Sequence, residues 1–395
     1  MLIIKPKIRS NICITAHPQG CAAQVKSQIH YVRSRGPVHS PKRVLVIGAS
    51  NGYGLAARIV SAFGSGAATI GVAYERPGTP ERPATAGWYN DLAFDAEAAK
   101  AGLRSWTING DAFTEEIKRK ATGIITSQLG QVDLVIYSIA APRRIDPATG
   151  EIYSSVVKPI GRPFTAKAID FLTGAIVEIT SAPATAAEIA HTVKVMGGED
   201  WELWINKLIQ EKALAAGALT LSLSYIGTEP TAAIYRSGTI GRAKEDLEAA
   251  AKRLDGRLKP FGGRALISVQ KALVTRASAV IPGVSLYISL LYKVMKERGL
   301  HEGCIQQMDR LYRDVLFSGK PFPLDSEGRI RLDDWEMRAD VQRTVAENWG
   351  KVSTENVAQY ADVQGFRDEF LRHHGFGMPE IDYSRPVDPT RIDPK

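Results

Sequence analysis

A glycine-punctuated turn between an apolar run and a helical pattern constrains this chain more than any other stretch. Residues 44–54 (VLVIGASNGYG) begin with the character of a buried strand and end in the turn. Residues 55–63 (LAARIVSAF) then carry apolar side chains at helical spacing. Gly48 permits a sharp bend, Gly52 lets backbone amides approach an anion, and Gly54 permits close helix packing. The sequence therefore predicts a strand, a turn and a helix whose N-terminus presents N–H groups to a phosphate.

A second apolar strand with an acid at its end favours a dinucleotide site. Residues 68–74 (ATIGVAY) precede Glu75, which lies about 20 residues beyond the turn, where dinucleotide folds place an acid on the adenosine ribose. An acid there also repels a 2′-phosphate, which favours NADH over NADPH. Arg76 weakens that preference, because a guanidinium could accept the phosphate. The alternative is a glycine-rich turn in an ordinary α/β domain that binds no nucleotide.

Size and composition are those of a globular enzyme. The chain has 395 residues, of which 44% are hydrophobic and 23% charged, so it can bury a large core. Its three cysteines and seven histidines show no metal-ligand spacing, which predicts reduced thiols, no metal and a cytoplasmic location. The net charge of +8 comes from scattered basic residues, so no nucleic-acid partner is expected. Neither a signal peptide nor a membrane-spanning run is visible in the sequence.

Alternating strands and helices predict a parallel sheet. The runs 105–108 and 132–137 are its third and fourth predicted strands. Asp111-Ala112 follows the third strand and could contact adenine, although an N-cap of the next helix explains Asp111 equally well. Ile139-Ala140 follows the fourth strand, where small residues would let the nicotinamide ribose lie against the strand end. Ligands of such sheets bind at the carboxyl ends of the strands, where all of these residues lie.

We predict a single α/β domain with a doubly wound, Rossmann-type parallel sheet over about residues 43–335. An N-terminal hairpin (1–42), turning at residues 9–11, precedes the sheet, and a proline-rich insertion (143–198) is expected to cover the site. The other predicted elements are strands at 218–225, 264–269 and 329–332, helices at 22–35, 95–101, 112–129, 199–215 and 243–258, and helical segments at 279–318, with a break at Pro282-Gly283, and at 334–374.

The proton donor is expected after the fifth strand. Reductases of this shape commonly use a tyrosine and a lysine four residues later on one helix, and this chain has no such pair there. Tyr235 and Lys244 are nine residues apart, which would place them on opposite faces of a straight helix. Gly238 and Gly241 lie between them and can break the helix. We therefore predict Tyr235 before a turn and Lys244 in the first turns of the next helix; the alternative is a loop tyrosine and a surface lysine.

Taken together, these motifs resemble the FabV-type trans-2-enoyl-ACP/CoA reductases, relatives of the short-chain dehydrogenases. The resemblance runs over nearly the full length and rests on GASNGYG, Glu75, NGDAF (109–113), YSIA (137–140), SYIG (224–227), the Tyr235-x8-Lys244 spacing and RIRLDDWE (329–336). It implies a monomeric enzyme that uses NADH to reduce the C2–C3 double bond of trans-2-enoyl thioesters. The substrates would be carried on acyl carrier protein or coenzyme A, in fatty acid synthesis.

The resemblance also implies roles for single residues. Tyr235 would be the proton donor, Lys244 a catalytic residue that also binds the cofactor, and Tyr225 a substrate contact. The backbone of residues 273–275 would hold the nicotinamide carboxamide. The implied cofactor-binding residues are Gly48, Ala49, Ser50, Asn51, Gly52, Tyr53, Tyr74, Glu75, Asp111, Ala112, Ile139, Ala140, Lys244, Leu273, Val274 and Thr275.

Two other functions stay open at the level of the sequence. A short-chain-type carbonyl (3-ketoacyl) reductase would share the cofactor half, but the missing tyrosine–lysine pair at four-residue spacing counts against it. A non-catalytic NAD-sensing protein would keep the glycine turn and could lose the acid, yet Tyr235 and Lys244 are both present. Cofactor turnover separates the sensor from the two enzymes, and an enoyl or keto substrate separates the enzymes from each other.

Overall fold

The computed structural model of the chain describes residues 1–9, 12–170, 173–275, 278, 281 and 283–392. The strands are β1 (Ile8–Arg9), β2 (Ile12–Cys13), β3 (Arg43–Ile47), β4 (Ala68–Ala73), β5 (Ser105–Asn109), β6 (Val132–Tyr137), β7 (Arg143–Ile145), β8 (Ile152–Ser154), β9 (Phe164–Ile169), β10 (Ile176–Ser181), β11 (Leu214–Ser224), β12 (Arg264–Val269) and β13 (Arg329–Arg331). The helices are α1 (Pro18–Ser34), α2 (Gly52–Ile59), α3 (Ala86–Lys100), α4 (Glu115–Ile124), α5 (Ala186–Met196), α6 (Glu199–Gln210), α7 (Thr239–Leu258), α8 (Val284–Glu297), α9 (Cys304–Arg310), α10 (Ala339–Lys351), α11 (Val357–Tyr360) and α12 (Val363–Arg372).

A parallel sheet of seven strands forms the centre of the fold, in the order β13-β12-β11-β6-β3-β4-β5. The order runs outward in both directions from the neighbours β3 and β6, where Ile47 pairs with Tyr137. The prediction of a doubly wound parallel sheet is therefore confirmed. Ligands of such sheets bind at the point where the strand order reverses, which here lies at the carboxyl ends of β3 and β6.

Apolar strands of this kind are buried on both faces, and β3 shows why. Val44 and Val46 face a cluster formed with α1, α2 and α9. Leu45 and Ile47 face the opposite cluster, formed with α4, α6 and α7. All four side chains have no exposed surface. Alternate side chains of a strand point to opposite faces, so a continuous apolar run is what a sheet covered by helices on both sides requires.

The segment 143–198 lies outside the central sheet. It forms two antiparallel hairpins, β7–β8 and β9–β10, and then α5, which packs on α7. The backbone N–H of Thr239, the first residue of α7, donates to the carbonyl oxygen of Lys158 at 3.0 Å. This contact places the insertion beside the loop that carries Tyr235.

The two ends of the chain are joined to each other. Leu2 and Val387 exchange a pair of backbone hydrogen bonds, each 2.8 Å long. His17, at the start of α1, donates its backbone N–H to the carbonyl oxygen of His374 at 2.9 Å. The hydroxyl of Tyr89 on α3 donates to the carbonyl oxygen of Pro389. The C-terminal segment thus completes the surroundings of α1 and α3.

Several predicted boundaries were wrong for reasons that lie in distant contacts. The N-terminal hairpin is limited to Ile8–Arg9 and Ile12–Cys13, because Leu2 pairs with Val387 instead. Two residues of the predicted turn at 9–11, residues 10 and 11, lie outside the described residues, as does Pro282 of the predicted break. Helix α3 begins at Ala86 rather than at the predicted residue 95, and the buried Tyr89 is held there by the C-terminal segment.

The remaining differences are shifts of element ends. Helix α1 begins at Pro18 rather than at residue 22, and α10 begins at Ala339 rather than at 334. Helix α6 ends at Gln210, so that β11 can begin at Leu214. Across the described helices, none combines the length and the apolar character that crossing a membrane would take.

Candidate active site

The glycine turn joins β3 to α2 at the carboxyl edge of the sheet. Gly48 has φ of +87°, and a Cβ there would lie 2.2 Å from the carbonyl oxygen of Ser138. A Cβ on Gly54 would lie 1.9 Å from the Gly48 carbonyl oxygen. Neither position has room for a side chain, as the sequence predicted. Asn51, the N-cap of α2, makes no side-chain hydrogen bond to the helix, so its first amides are left for a ligand such as a pyrophosphate.

Glu75 follows β4 and turns its carboxylate towards the glycine turn. Its Oε1 accepts hydrogen bonds from the Ser50 hydroxyl at 2.7 Å and the Asn51 amide at 3.1 Å. The Glu75 backbone N–H donates to Asn109 Oδ1 at 2.7 Å. The carboxylate therefore fixes the side chains of the turn. Tyr74, its neighbour and another predicted cofactor contact, is 76% exposed.

The ends of β5 and β6 carry the other residues predicted to contact the nucleotide. Asp111 accepts a hydrogen bond from the Phe113 backbone N–H at 3.0 Å. Its predicted role as N-cap was wrong, because α4 begins only at Glu115 and Thr114 is the cap. The same edge of the sheet also carries Ala112, Ile139 and Ala140. The backbone of Ser138, which precedes Ile139, lies directly against Gly48.

Residues 271–275 follow β12 and border the glycine turn. The Thr275 methyl group would lie 3.7 Å from a Cβ on Gly52. The Val274 N–H donates to the Tyr292 hydroxyl at 3.1 Å, and its carbonyl oxygen accepts from His373 Nε2 at 2.7 Å. The Leu273 carbonyl oxygen accepts from the Ser278 hydroxyl at 2.7 Å. The protein thus holds this backbone in place before any ligand arrives, which lowers the entropy lost on binding.

Tyr53 connects the glycine turn to the same stretch. This residue lies in the first turn of α2 and is half-buried. Its hydroxyl donates to the carbonyl oxygen of Lys271 at 2.8 Å and contacts Gln307 Oε1 at 3.2 Å. The predicted cofactor contact of Tyr53 would therefore come from its backbone or ring rather than from a free hydroxyl.

Tyr235 and Lys244 are placed as their spacing predicted. Tyr235 lies before α7, which begins at Thr239, and Lys244 lies in the second turn of that helix. A Cβ on Gly241 would lie 2.1 Å from the Arg236 carbonyl oxygen and 2.6 Å from that of Tyr235. Glycine is therefore required for the helix to start so close to Tyr235.

Burial perturbs the pKa of both side chains. Tyr235 is 6% exposed, and its burial, together with the charge of Glu336, raises its pKa, so the phenol stays protonated at neutral pH. Burial lowers the pKa of Lys244 to about 8. Within the described part of the chain, neither the Tyr235 hydroxyl nor the Lys244 ammonium has a hydrogen-bond partner. Both groups are therefore available to a ligand.

Tyr225, the predicted substrate contact, packs edge-on against Tyr235. The ring centroids are 5.0 Å apart and the ring planes are at 89°. The Tyr225 hydroxyl donates to Glu336 Oε1 at 3.4 Å. Sequence reasoning missed Glu336 and the buried Lys271. The signal for Glu336 was its place shortly after the last strand, but acids in such positions often lie on the surface.

Comparisons with known proteins find matches over nearly the whole chain. Residues 3–80 match a family model described as the NAD(P)H binding domain of trans-2-enoyl-CoA reductase, residues 82–317 its catalytic region, and residues 324–387 an enoyl reductase FAD binding domain. An enoyl-[acyl-carrier-protein] reductase [NADH] of Opitutus terrae is 55% identical over 98% of this chain and 99% of its own. A relative of the same name from Flavobacterium johnsoniae is 55% identical over 97% and 96%. The structure of Treponema denticola trans-2-enoyl-CoA reductase in complex with NAD is 49% identical, with a TM-score of 0.96 over all of both chains.

Two of the family models name different nucleotides, NAD(P)H for residues 3–80 and FAD for residues 324–387, and the structure does not suit both equally. The turn from Gly48 to Gly54, in the segment matched as NAD(P)H binding, leaves room for the pyrophosphate of a dinucleotide for the steric reasons given above. Within the described residues of 324–387, no strand, glycine turn and helix follow one another in this way. Gly375 is enclosed by the protein itself, since a Cβ there would lie 2.5 Å from the backbone nitrogen of Cys21. Phe366 and Phe370 pack into the core. The described part of this segment therefore offers no glycine turn to hold the pyrophosphate of a flavin dinucleotide.

Proposed function

We propose that this chain, which belongs to the trans-2-enoyl-CoA reductase family, reduces the C2–C3 double bond of trans-2-enoyl thioesters with NADH. It is an NADH-dependent oxidoreductase of fatty acid synthesis. The observation that carries the residue assignments is the buried Tyr235 phenol. It remains protonated, has no partner among the described side chains, and packs beside Tyr225 at the carboxyl edge of the sheet.

Tyr235 is the proposed proton donor. Bound NADH supplies the hydride that adds to C3 of the enoyl group. Negative charge then develops on the thioester oxygen, and a hydrogen bond from the Tyr235 phenol stabilises this charge more than it stabilises the neutral carbonyl group. Only such a difference between transition state and ground state accelerates the reaction. The raised pKa of Tyr235 keeps its proton in place until that charge appears.

Lys244 is the proposed cation of the site. Its pKa of about 8 leaves the ammonium mostly charged at neutral pH. A charged donor suits the hydroxyls of the nicotinamide ribose, and its field stabilises negative charge near the phenol. Glu75, with the Ser50 and Asn51 side chains that it holds, is proposed to receive the adenosine ribose and to disfavour a 2′-phosphate.

We also propose that the enzyme is a cytoplasmic monomer that folds as one domain. The hydrophobic cluster that includes Val44 and Val46 contains residues from α1 through to Leu332, which supports a single folding unit. Cys13, Cys21 and Cys304 are free thiols, which suits a reducing compartment. Size-exclusion chromatography with light scattering tests the monomer, and a dimer mass would contradict it.

The function is tested by the loss of NADH absorbance with crotonyl-CoA, crotonyl on acyl carrier protein, and a 3-ketoacyl thioester as the control substrate. Oxidation with the enoyl substrates alone is expected, with NADPH much slower than NADH. Turnover of the keto substrate would point to the carbonyl reductase instead. Binding of NADH without oxidation by any substrate would point to a sensor. The relative rates with the two enoyl carriers decide which thioester is preferred.

A further inference from the structure

The ends of three neighbouring strands meet at one buried carboxylate. Tyr225 directly follows β11, Ala272 lies shortly after β12, and Glu336 lies shortly after β13. These strands are adjacent in the sheet, so their carboxyl ends lie side by side. Glu336 therefore lies at the same edge as the glycine turn and Tyr235.

The Glu336 carboxylate contacts both sides of the candidate site. Oε2 accepts a hydrogen bond from the Ala272 backbone N–H at 2.7 Å. Oε1 accepts from the Tyr287 hydroxyl at 2.7 Å and from the Tyr225 hydroxyl at 3.4 Å. One oxygen thus holds the stretch that runs on to residues 273–275, and the other holds the tyrosine that packs on Tyr235.

Packing alone does not explain a carboxylate in this position. Glu336 has no exposed surface, and no lysine or arginine among the described residues lies within 4.0 Å of it. The nearby Lys271 ammonium donates instead to the Ala272 carbonyl oxygen at 3.1 Å and lies 4.9 Å from the centre of the Tyr292 ring. An unpaired buried carboxylate is costly to a fold, so its hydrogen bonds are the reason to look for a role.

We propose that Glu336 is a positioning residue that fixes Tyr225 and the Ala272–Thr275 backbone in one arrangement. The inference rests on the proposed function, in which Tyr225 faces the substrate and residues 273–275 face the nicotinamide. Val274 is held separately by Tyr292 and His373, and Lys271 by Tyr53, so Glu336 provides the contact at Ala272 between these two anchored residues. A single carboxylate thereby sets the distance between the substrate side and the cofactor side.

Protonation of this carboxylate has a direct consequence for the site. Burial raises the pKa of Glu336 to about 6. A protonated carboxyl group has lost one acceptor oxygen to its own O–H, so the three donors can no longer all be satisfied. Activity is therefore expected to fall as the pH drops through about 6. The titratable groups that interact with Glu336 are Lys271, Tyr287, Tyr225, Tyr235, Asp333 and Tyr53.

Glu336→Gln is the first variant to measure, because it keeps the shape and removes the charge. The amide oxygen can still accept from Ala272, so the Kd of NADH should stay within about 2-fold, while kcat/KM for crotonyl-CoA should fall about 10-fold. The loss of activity near pH 6 should disappear. Asp309→Asn is the matched control, since Asp309 is also a buried carboxylate but pairs with Arg313 at 2.7 Å, away from this edge. Wild-type kinetics and an unchanged pH profile in Glu336→Gln would overturn the proposal.

Two further variants, Glu336→Ala and Tyr225→Phe, distinguish the contact on the cofactor side from the contact on the substrate side. Glu336→Ala loses both contacts and should also weaken NADH binding about 5-fold or more, read by nucleotide fluorescence. Tyr225→Phe should reproduce the loss of crotonyl-CoA turnover alone, and its effect should not add to that of Glu336→Gln. Fully additive effects would overturn the proposal even if Glu336→Ala fails to fold. Absence of turnover in the wild type would overturn the proposed function only, because NADH binding by Glu336→Ala still reports on the Ala272 contact.

Discussion

Gly227 lies directly against Tyr235: a Cβ on Gly227 would come within 2.7 Å of the Tyr235 Cβ. Gly227 also has φ of +84°, a conformation that side chains disfavour. The backbone of Gly227, in the turn after β11, therefore packs directly on the Tyr235 side chain before α7. The position of the Tyr235 phenol depends on the absence of a side chain at residue 227.

Gly227→Ala is expected to displace Tyr235 and to lower kcat by about 10-fold or more, because misplacing a reacting group by about 1 Å costs up to about 100-fold. Steady-state kinetics with NADH and crotonyl-CoA measure it. Gly256→Ala is the control, since Gly256 lies within α7 and a Cβ there would have no group within 4 Å apart from the adjoining residues and backbone of its own helix. That change should leave kcat unaltered and stabilise the fold by about 0.5–1 kcal/mol. A Gly227→Ala enzyme with full kcat would show that Tyr235 tolerates the shift.

Tyr235→Phe is expected to lower kcat about 100- to 1,000-fold, the usual loss when one donor to a developing oxyanion is removed. The Kd of NADH should change little, because the phenol faces the substrate oxygen in the proposed mechanism. Fluorescence titration and stopped-flow kinetics measure the two quantities. Tyr312→Phe removes another buried hydroxyl, which lies 2.9 Å from that of Ser61, and serves as the control for stability. Full activity in Tyr235→Phe would remove it as the donor.

Lys244 should give NADH binding a dependence on alkaline pH. The ammonium is charged below about pH 8 and neutral above it, so kcat/KM for NADH should fall as the pH rises through that value. Lys244→Met should lose about 10- to 100-fold at neutral pH, as expected for a hydrogen bond from a charged group, and should lose this pH dependence. Lys252→Met, at an exposed position of the same helix, is the control. Persistence of the alkaline loss in Lys244→Met would assign it to another group.

Glu75 should set the preference for NADH over NADPH. Glu75→Gln keeps an oxygen for Ser50 and Asn51 but removes the charge, so the ratio of kcat/KM for the two cofactors should narrow. Glu75→Ala should narrow the ratio as well and should also weaken NADH binding, because the turn loses its acceptor. An unchanged ratio in both variants would mean that Arg76 or the loop after it decides the preference.

Glu336→Gln should stabilise the protein at neutral pH while it slows catalysis. An acid whose pKa rises from 4.5 to about 6 on folding binds its proton more tightly in the native state, so the wild type loses stability as the pH rises through that window. This loss of stability amounts to about 2 kcal/mol. The Glu336→Gln variant does not show it, because glutamine carries no titratable proton. Urea unfolding at pH 4.5 and pH 7.5 should show that the free energy of unfolding of the variant, relative to that of the wild type, is larger at the higher pH. An equal difference in unfolding free energy at both pH values would contradict the shifted pKa.

The sequence predicted the sheet and the position of the proposed donor for local reasons. Val44 to Ile47 form a short apolar run, rich in β-branched residues and bounded by a glycine turn, which favours a buried strand over a helical segment. The nine-residue spacing of Tyr235 and Lys244 predicted a break: α7 begins after Gly238, and Gly241 in its first turn lets the helix start close to Tyr235. Such features are visible in a single stretch of chain.

The sequence did not show contacts between distant segments. Helix α3 begins at Ala86 rather than near residue 95, and its buried Tyr89 contacts Pro389, some three hundred residues away. Asp111 was a reasonable N-cap, but Thr114 competes for the same role and the helix follows it. The contacts of Glu336 with Ala272 and Tyr225 depend on the neighbourhood of β11, β12 and β13, which only the sheet order reveals.

The pairing of Leu2 with Val387 has a consequence for how the protein is made. The partners of α1 and α3 include His374 and Pro389, which are synthesised long after both helices. His373, which holds Val274 at the candidate site, is synthesised just before them. A nascent chain halted before residue 373 therefore lacks both the His374 contact at the start of α1 and the hydrogen bond that holds Val274 at the candidate site. The packing of α1 and α3 and the support of the candidate site are therefore completed only once the segment from residue 373 onward has been made.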